Sequence, residues 1–263
     1  MCSTDPANYR PVTNLATFFK ILVKLALNRV RPHVLSSGRL NMYQSAYRPG
    51  HFTETALLKV VGDIQRAAGD GKCTVLHALD VSAAFDAVDH SVLGARVNIG
   101  GTVGRWIESF VADRLQYVAV GAEKSETVRL ASGVPRGSIL GPLLFAMYVS
   151  LAGQVVDTVG IQHHQYADNL MLYCALTASQ LDDLSPPVRC SDAVSIWFHQ
   201  NALLLNPSKT EAVLFATRQR LVGVDFSHTI KVASADIQFS KAVRLLMASC
   251  WTLLYHLIST LPT

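Results

Sequence analysis

Two acidic segments hold the residues of this sequence that are best suited to chemistry. Asp168 lies in the tetrapeptide YADN at residues 166–169, between apolar runs that predict the two strands of a hairpin, so its carboxylate is expected at the hairpin tip. Asp80 interrupts the end of another apolar run, residues 74–79, where a core residue is expected. A buried carboxylate is unfavourable unless a neighbouring group neutralises it. We therefore expect Asp80 and Asp168 to lie side by side on neighbouring strands and to share divalent metal.

Magnesium suits such a site because it is a hard cation that proteins hold through a few carboxylates together with substrate phosphates. Two neighbouring carboxylates repel each other and raise each other's pKa unless a cation lies between them. Each residue also has a purely structural interpretation. An Asp-Asn pair at a hairpin tip is what turn geometry favours, and a carboxylate after a strand can cap the next helix. The apolar strand before Asp80 argues against capping at that position.

Hydrophobic periodicity predicts the elements that must position these carboxylates. Helices are expected at residues 53–68, 102–114 and 189–200, the last of them after two prolines. Strands are expected at residues 74–79, 160–165, 170–176 and 212–216, with two shorter ones at 116–120 and 127–130 around a turn at Gly121. Helices and strands that follow one another without regular alternation predict an α+β fold, with an antiparallel sheet and helices packed on one face.

Six motifs occur in an order that resembles a known family. They are NYRPV at 8–12, QSAYRPGH at 44–51, LDVSAAFDAVDH at 79–90, SGVPRGSILGPLLF at 132–145, YADN at 166–169 and LNPSKTE at 205–211. Together they resemble the reverse transcriptase domain of LINE-type (non-LTR) retrotransposons, with YADN as a degenerate form of the family's YADD box. Six ordered motifs are far more specific than any one of them.

The resemblance implies a right-hand polymerase fold with three consecutive parts. Residues 1–73 would form a fingers-like segment and residues 74–220 the palm, which carries the catalytic motifs. Residues 221–263 would form a partial approach to the primer grip and an aberrant tail, without a recognisable thumb. The apolar run at 245–261 contains a histidine and is shorter than a membrane-spanning helix, so it predicts a core helix or part of that tail.

The resemblance also implies phosphoryl transfer assisted by two Mg²⁺ ions, or by Mn²⁺. The metal ligands would be Asp80, Asp168 and the main-chain carbonyl of Val81. Lys209 matches the family's lysine that is proposed to protonate the leaving pyrophosphate, a general-acid role. Asn169 stands where similar enzymes carry a second Asp. At ~4 Å and an effective dielectric of ~20 a unit charge is worth on the order of 4 kcal/mol, so we expect this substitution to slow catalysis.

Four further residues match positions that contact the nucleotide in similar enzymes. Phe85 matches the aromatic residue that stacks under the sugar and obstructs a 2′ hydroxyl, which implies a deoxynucleotide substrate. Arg48 matches a basic finger position that clamps the triphosphate. Arg136 stands where the family usually has Gln, and it lies beside Gly137 in the loop that holds nucleotide and template bases. An ordinary core phenylalanine and a surface ion pair remain open alternatives for Phe85 and Arg48.

Composition agrees with these expectations but does not establish them. The chain has 263 residues, half of them hydrophobic and 16% charged, which is enough for one large domain or two small lobes. A net charge of +4 permits nucleic-acid binding without indicating it. Five cysteines without paired spacing predict neither zinc nor a disulfide framework, and they favour a reducing, intracellular compartment. The resemblance implies the nucleus and cytoplasm.

The partners implied by the resemblance are an RNA template, a DNA primer and deoxynucleoside triphosphates. We expect no membrane association and no obligate protein partner. LINE-type proteins usually carry an endonuclease region before this domain, so the chain is expected to be a fragment, from a degenerate copy or a shifted reading frame. Three interpretations stay open: an active or weakly active RNA-directed DNA polymerase domain, a catalytically dead palm that binds nucleic acid, and a relic without function.

Overall fold

The computed structural model describes residues 12–36, 38, 40–97, 100–181, 183–217, 220, 229–232 and 235–239. The chain divides into two compact units, each built from two separate stretches of sequence. The first unit takes Met1–Arg39 and Ala83–Tyr148, and the second takes Leu40–Ser82 and Val149–Thr263. These units do not follow the sequential division expected at residues 73 and 220, because the chain leaves the second unit after residue 82 and returns at 149. The assignment of fingers, palm and tail to segments stays a prediction.

Helices and strands alternate irregularly along the described residues. The α-helices are α1 (Thr17–Ser36), α2 (Thr53–Gly69), α3 (His90–Val97), α4 (Gly101–Val111), α5 (Gly141–Val149), α6 (Ala152–Val159) and α7 (Ser185–Gln200). The strands are β1 (Cys73–Ser82), β2 (Leu115–Gln116), β3 (Ala119–Val120), β4 (Glu123–Lys124), β5 (Val128–Arg129), β6 (Gln162–Tyr166), β7 (Asn169–Leu176), β8 (Leu204–Leu205), β9 (Glu211–Phe215), β10 (Thr229–Val232) and β11 (Ala235–Gln238). The three predicted helices are confirmed as α2, α4 and α7, with ends that differ by a few residues. The other described helices, α1, α3, α5 and α6, are additional to these three predictions.

Strand β1 is the central strand of an antiparallel sheet in the second unit. Strand β7 pairs with it along its length, and the last pair joins Asp80 to Asn169. Strand β6 lies on the far side of β7. The other edge of β1 is shared by β9, which pairs with residues 74–78, and by β8, which pairs with Val81 and Ser82. The predicted antiparallel sheet is therefore confirmed.

Helices cover both faces of this sheet, which corrects the prediction of helices on one face. Buried side chains of α2 pack against one face in a cluster of Ala56, Leu57, Val60, Val61, Ile64, Leu76, Met171, Tyr173, Val213 and Phe215. The adjacent residue of β1, His77, faces the opposite side, where its Nδ1 lies 2.8 Å from Oγ of Ser191 in α7. The prediction failed because β1 is buried on both faces, so its hydrophobic pattern does not alternate.

The first unit has its own core, to which α1, α4 and α5 contribute. The rings of Phe19 and Phe110 stack with centroids 5.8 Å apart, and the Arg114 guanidinium lies 5.4 and 5.5 Å from them. Helix α5 is apolar and buried at residues 143–149. The stretch Gly141–Val159 is long and apolar enough to cross a membrane by length and composition alone, but 61% of it is buried inside the structure, as is usual for core helices.

A two-stranded arm, residues 114–130, extends from α4 in the first unit. Strand β2 pairs with β5, and β3 pairs with β4 around Gly121. At the base of the arm the N–H of Leu130 donates to the carbonyl of Arg114 at 2.8 Å. Every side chain from residue 115 to 129 is exposed. The sequence predicted two strands here, at 116–120 and 127–130. The structure confirms the hairpin around Gly121, divides the first strand into β2 and β3, and adds β4 before β5.

Strands β10 and β11 form a separate antiparallel hairpin in the second unit. The predicted approach to a primer grip, residues 236–244, begins in β11, but residues 240–244 lie outside the described residues. The apolar run at 245–261 also lies outside them. The expectations of an aberrant tail and of a missing thumb therefore stay predictions.

Candidate active site

Asp168 lies in a two-residue turn between β6 and β7, as the sequence predicted. Tyr166 and Asn169 are the last paired residues of the hairpin, which leaves Ala167 and Asp168 at its tip. Ala167 has a φ of 55°, in the left-handed region that residues other than glycine rarely adopt. Asp168 is half-buried at this tip. The turn therefore holds a carboxylate at the surface of the sheet by means of an uncommon backbone conformation.

Asp80 lies opposite this hairpin because of the strand register. It pairs with Asn169 across β1 and β7, and side chains of residues that are directly opposed in an antiparallel pair lie on the same face of the sheet. Asp168 is the residue next to Asn169. The side chain of Asp80 is only 8% exposed. The two acidic segments therefore lie on neighbouring strands, and the sharing of metal between Asp80 and Asp168 stays a prediction.

A positive charge approaches Asp80 from the turn at residues 206–209. The Nζ of Lys209 lies 3.5 Å from Oδ2 of Asp80, and the lysine side chain is 50% exposed. Asn206 begins this turn: its Oδ1 accepts a hydrogen bond from the N–H of Ser208 at 3.2 Å. The main-chain N–H of Asn206 also donates to the carbonyl of Asp80 at 2.8 Å, which ties the turn to the end of β1. Val81, the next residue of β1, is buried and paired with β8.

The segment 43–48 of the second unit runs beside β6 and reaches the hairpin tip. The N–H of Ser45 donates to the carbonyl of Gln165 at 3.0 Å, and the N–H of Gln165 donates to the carbonyl of Tyr43 at 2.9 Å. The side chain of Gln44 is completely buried and bonds Ala167. Gln44 and Asn206 were not singled out from the sequence, where their only signal was their presence in motifs.

Tyr47 and Arg48 follow in the same segment. Tyr47 is 38% exposed, but partial burial, the nearby Asp168 carboxylate and Tyr166 together raise its pKa to about 12. The Nη1 of Arg48 donates to the carbonyl of Met42 at 3.1 Å and to those of Asn41 and Gln44 at 3.4 Å. Arg48 thereby braces its own loop, a role that the sequence did not predict. Its contact with a triphosphate stays a prediction.

The other predicted substrate-binding residues belong to the first unit. The Phe85 ring stacks on Phe145 with centroids 4.7 Å apart and is half-buried, so it forms part of a rigid aromatic pair. Arg136 binds Asp86 side-on through one edge of its guanidinium, with Nε to Oδ1 at 3.0 Å and Nη2 to Oδ2 at 2.6 Å. Gly137 has a φ of 80°, a conformation that favours glycine. The structure accordingly places Asp80, Asp168, Asn169, Arg48 and Lys209 in one unit and these three residues in the other.

The donor atoms near the hairpin fit a hard divalent cation. Two carboxylates, from Asp80 and Asp168, and the amide oxygen of Asn169 are all oxygen ligands, which Mg²⁺ and Mn²⁺ accept. The described residues contain no cluster of three His, Cys, Asp or Glu side chains that could hold a metal ion. Asn169 carries an amide where an Asp would carry a carboxylate, so the hairpin offers one carboxylate, Asp168, to complement Asp80. The residues therefore fit the metal with reduced negative charge.

Comparisons with known proteins show which family this chain belongs to. Residues 3–239 match the family described as reverse transcriptase (RNA-dependent DNA polymerase). The RNA-directed DNA polymerase from mobile element jockey of Drosophila melanogaster is 30% identical over 224 residues, covering 82% of this chain and 24% of that protein. The probable RNA-directed DNA polymerase from transposon X-element of the same species is 31% identical over 148 residues, covering 55% of this chain and 16% of that protein. The chain thus spans about a quarter or less of the length of these relatives.

A solved structure shares the fold at low sequence identity. The apo telomerase from Candida tropicalis truncated from its C-terminal domain aligns with a TM-score of 0.50 at 13% identity, covering 83% of this chain and 43% of that chain. This likeness is consistent with a polymerase palm and fingers. The match to the family extends over most of the chain and includes both acidic segments. The chain therefore belongs to the reverse transcriptase (RNA-dependent DNA polymerase) family, as the reverse transcriptase domain of a non-LTR retrotransposon.

Proposed function

We propose that this domain extends a DNA primer on an RNA template by adding deoxynucleotides, with metal held between the two acidic segments. The observation that carries the proposal is the register of β1 and β7, which sets Asp80 opposite Asn169 and beside the turn of Asp168. The names of the relatives support the same activity, since they are RNA-directed DNA polymerases. They are much longer proteins, so their activity supports this proposal without establishing it for the present chain.

Asp80, Asp168, the amide oxygen of Asn169 and the carbonyl of Val81 would hold two Mg²⁺ ions. When bound, Mg²⁺ would lower the pKa of the primer 3′ hydroxyl and neutralise charge on the triphosphate. The buried position of Asp80 at the end of a paired strand keeps its carboxylate fixed without reorganisation. The ammonium of Lys209 carries a proton on Nζ that the leaving pyrophosphate can take.

The nucleotide-binding roles extend this proposal to the first unit. Phe85 would support the sugar, and its stacking on Phe145 would keep the ring from yielding to a 2′ hydroxyl. Arg136 would reach a phosphate or a base with the guanidinium N–H groups that do not bind Asp86. Gly137 would let the main chain approach the template base closely. Arg48 would approach the triphosphate with the guanidinium nitrogens other than Nη1, because Nη1 donates to the carbonyls of its own loop.

An intracellular location is part of the same proposal. Cys73, Cys174 and Cys190 are free thiols, and burial raises the pKa of each of them. Free, protonated thiols are compatible with a reducing compartment. The RNA template and DNA primer would place the domain in the nucleus and cytoplasm.

A second candidate, a palm that binds nucleic acid without catalysis, is favoured by Asn169. The missing carboxylate removes a unit charge worth on the order of 4 kcal/mol at ~4 Å. If half of that bears on the transition state, the rate falls by more than about tenfold, because ~1.4 kcal/mol corresponds to a factor of ten. The two candidates therefore differ in how far the missing carboxylate at residue 169 lowers the rate of primer extension.

Primer extension on an RNA template with Mg²⁺ and deoxynucleotides separates these candidates. We expect slow extension by the unmodified chain, none by Asp80→Asn, and a rate at least about tenfold higher for Asn169→Asp. Asp113→Asn is the matched control, because Asp113 is an exposed carboxylate of the first unit that pairs with Arg129. Equal extension by Asp80→Asn and the unmodified chain would contradict the proposal.

Absence of extension by every variant, including Asn169→Asp, would favour the binding-only candidate. A filter-binding titration of a primer–template duplex across salt concentrations then decides whether any function remains. Phosphate contacts make log K fall linearly with log salt, so binding that weakens steeply with salt indicates a nucleic-acid-binding domain. If the chain does not bind the primer–template duplex even at low salt, the remaining interpretation is a relic without function.

A further inference from the structure

The turn that carries Asp168 contains Ala167, whose backbone conformation is strained. Ala167 has a φ of 55°, and an alanine in this region is disfavoured relative to glycine because its Cβ crowds the neighbouring carbonyl. Such conformations persist only where surrounding contacts impose them. The position of the Asp168 carboxylate therefore depends on whatever holds Ala167.

Gln44 supplies these contacts from the segment beside β6. Its Oε1 accepts a hydrogen bond from the N–H of Ala167 at 3.1 Å, and its Nε2 donates to the carbonyl of the same residue at 3.4 Å. One side-chain amide thus bonds both backbone groups of Ala167. Its oxygen also accepts from the N–H of Ala46 at 3.0 Å, which fixes the conformation of the Gln44 side chain itself.

The support for Gln44 is rigid. Gln44 is 0% exposed, and its neighbours are joined to β6 by the two main-chain hydrogen bonds of Gln165. The nearby contact between Oγ of Ser45 and Nε2 of His164, at 2.9 Å, involves no atom of Gln44 and is separate from this support. Because the buried Gln44 amide is held in this way, it has little freedom to move with the turn. The amide therefore fixes the position of the turn.

We propose that Gln44 is a positioning residue, which fixes Ala167 in its left-handed conformation and thereby sets the Asp168 carboxylate relative to Asp80. This inference rests on the proposed function for its catalytic consequence. Gln44 touches neither the reacting atoms nor the metal-binding oxygens in this arrangement. Its effect passes through the backbone of the turn, so its loss should displace Asp168 while leaving the remainder of the sheet intact.

Hydrogen exchange tests the proposal without any need for activity. Gln44→Met keeps the length and burial of the side chain but removes its donor and acceptor. We expect the amide of Ala167, followed by NMR, to exchange at least about tenfold faster in this variant, because a buried hydrogen bond protects an amide. Ser45→Ala is the matched control: it breaks a buried hydrogen bond of the same segment but leaves Gln44 and Ala167 joined.

Kinetics give the catalytic readout. Gln44→Met should lower kcat for primer extension by about 10- to 100-fold with little change in KM for the nucleotide, because small displacements of catalytic groups are costly while substrate contacts remain. Ser45→Ala should retain the kcat of the unmodified domain. Adding Ala167→Gly to Gln44→Met should recover part of kcat, since glycine adopts a positive φ without steric cost.

Several outcomes would overturn the proposal. Unchanged exchange of the Ala167 amide in Gln44→Met, an equal loss of kcat in Ser45→Ala, or no recovery on adding Ala167→Gly would each do so. If Gln44→Met does not fold, Gln44→Glu retains the acceptor, and protection of the Ala167 amide should then persist. If the unmodified domain extends no primer, the proposed function fails, but the exchange measurement still decides the role of Gln44.

Discussion

Lys209 and a divalent cation would share the same carboxylate, because Nζ of Lys209 lies 3.5 Å from Oδ2 of Asp80. An ammonium at this distance neutralises part of the charge that a metal ion would otherwise attract. We expect Lys209→Met to tighten Mn²⁺ binding by a factor of about 1.4 to 5, since an ion pair with a half-exposed lysine contributes ~0.2–1 kcal/mol. Calorimetric titration with Mn²⁺ measures this affinity.

The same substitution should slow primer extension, because the proton donor for pyrophosphate is lost. Tighter metal binding combined with slower extension is therefore the expected result for Lys209→Met. Lys124→Met is a suitable control, since Lys124 lies in the exposed arm and stacks on Tyr117. Unchanged Mn²⁺ affinity in Lys209→Met would contradict the proposed competition between Lys209 and the metal ion for the Asp80 carboxylate.

At the residue scale, the sequence predicted the acidic residues of the site better than the residues that hold them in place. Asp80 was recognisable because a carboxylate at the end of an apolar run needs an explanation, and Asp168 because it lies at a predicted tip. Gln44 was not recognisable, since its hydrogen bonds reach Ala167 across 123 residues of sequence. A side chain whose role depends on such a distant partner has no local signal.

At the element scale, predictions succeeded where the hydrophobic pattern has one period and failed where it does not. Helix α1 was missed because apolar residues occur around its circumference: Val23, Leu27, Val30 and Val34 are buried, whereas Phe18, Ile21, Leu22 and Leu25 are exposed. Pro32 also lies within the helix, where proline normally argues against one. Strand β1 was predicted. Because both of its faces are buried, its sequence did not show that helices cover the second face of the sheet as well.

The arm should be dispensable for stability, which is an element-scale prediction. Replacing residues 115–129 by a four-residue Gly-Ser loop removes only exposed side chains and a surface ion pair, Arg129 with Asp113. Arg114 and Leu130 are already hydrogen-bonded, so a short loop can join them. We expect the free energy of unfolding, measured in urea, to change by less than about 1 kcal/mol.

Phe110→Ala provides the contrast for the arm. The Phe110 side chain is 2% exposed and stacks on Phe19 in the core of the first unit. Its truncation should lower the free energy of unfolding by about 3–5 kcal/mol. A loss of similar size on removing the arm would show that the arm contributes to the core.

At the scale of the whole molecule, buried histidines make stability depend on pH, since burial lowers the pKa of His163 as well as those of His77 and His164. Burial lowers the pKa of His77 and of His164 to about 4, from an ordinary value of 6.5. The unfolded chain therefore binds more protons than the folded chain between these two pH values. Stability should be at its full value above pH ~6.5 and should fall as the pH decreases towards ~4.

His77 and His164 should each contribute a loss on the order of 3 kcal/mol over this window, because one pKa unit corresponds to ~1.4 kcal/mol. Urea unfolding at several pH values between about 4.5 and 7.5 measures the slope. The slope should be smaller in His77→Gln, which has no titrating group at that position. An identical slope in His77→Gln would exclude His77 as a source of the effect.

The order in which the sheet is completed follows from the division of the second unit into two stretches. Strand β1 ends at Ser82, but the first residue of β7 that pairs with it, Asn169, is synthesised only after the whole of Ala83–Tyr148. During translation β1 therefore leaves the ribosome with both edges unpaired, and open apolar edges favour aggregation. A chain that stops before β7 lacks every described strand that pairs with β1, so we expect premature termination to remove this sheet entirely rather than to weaken it.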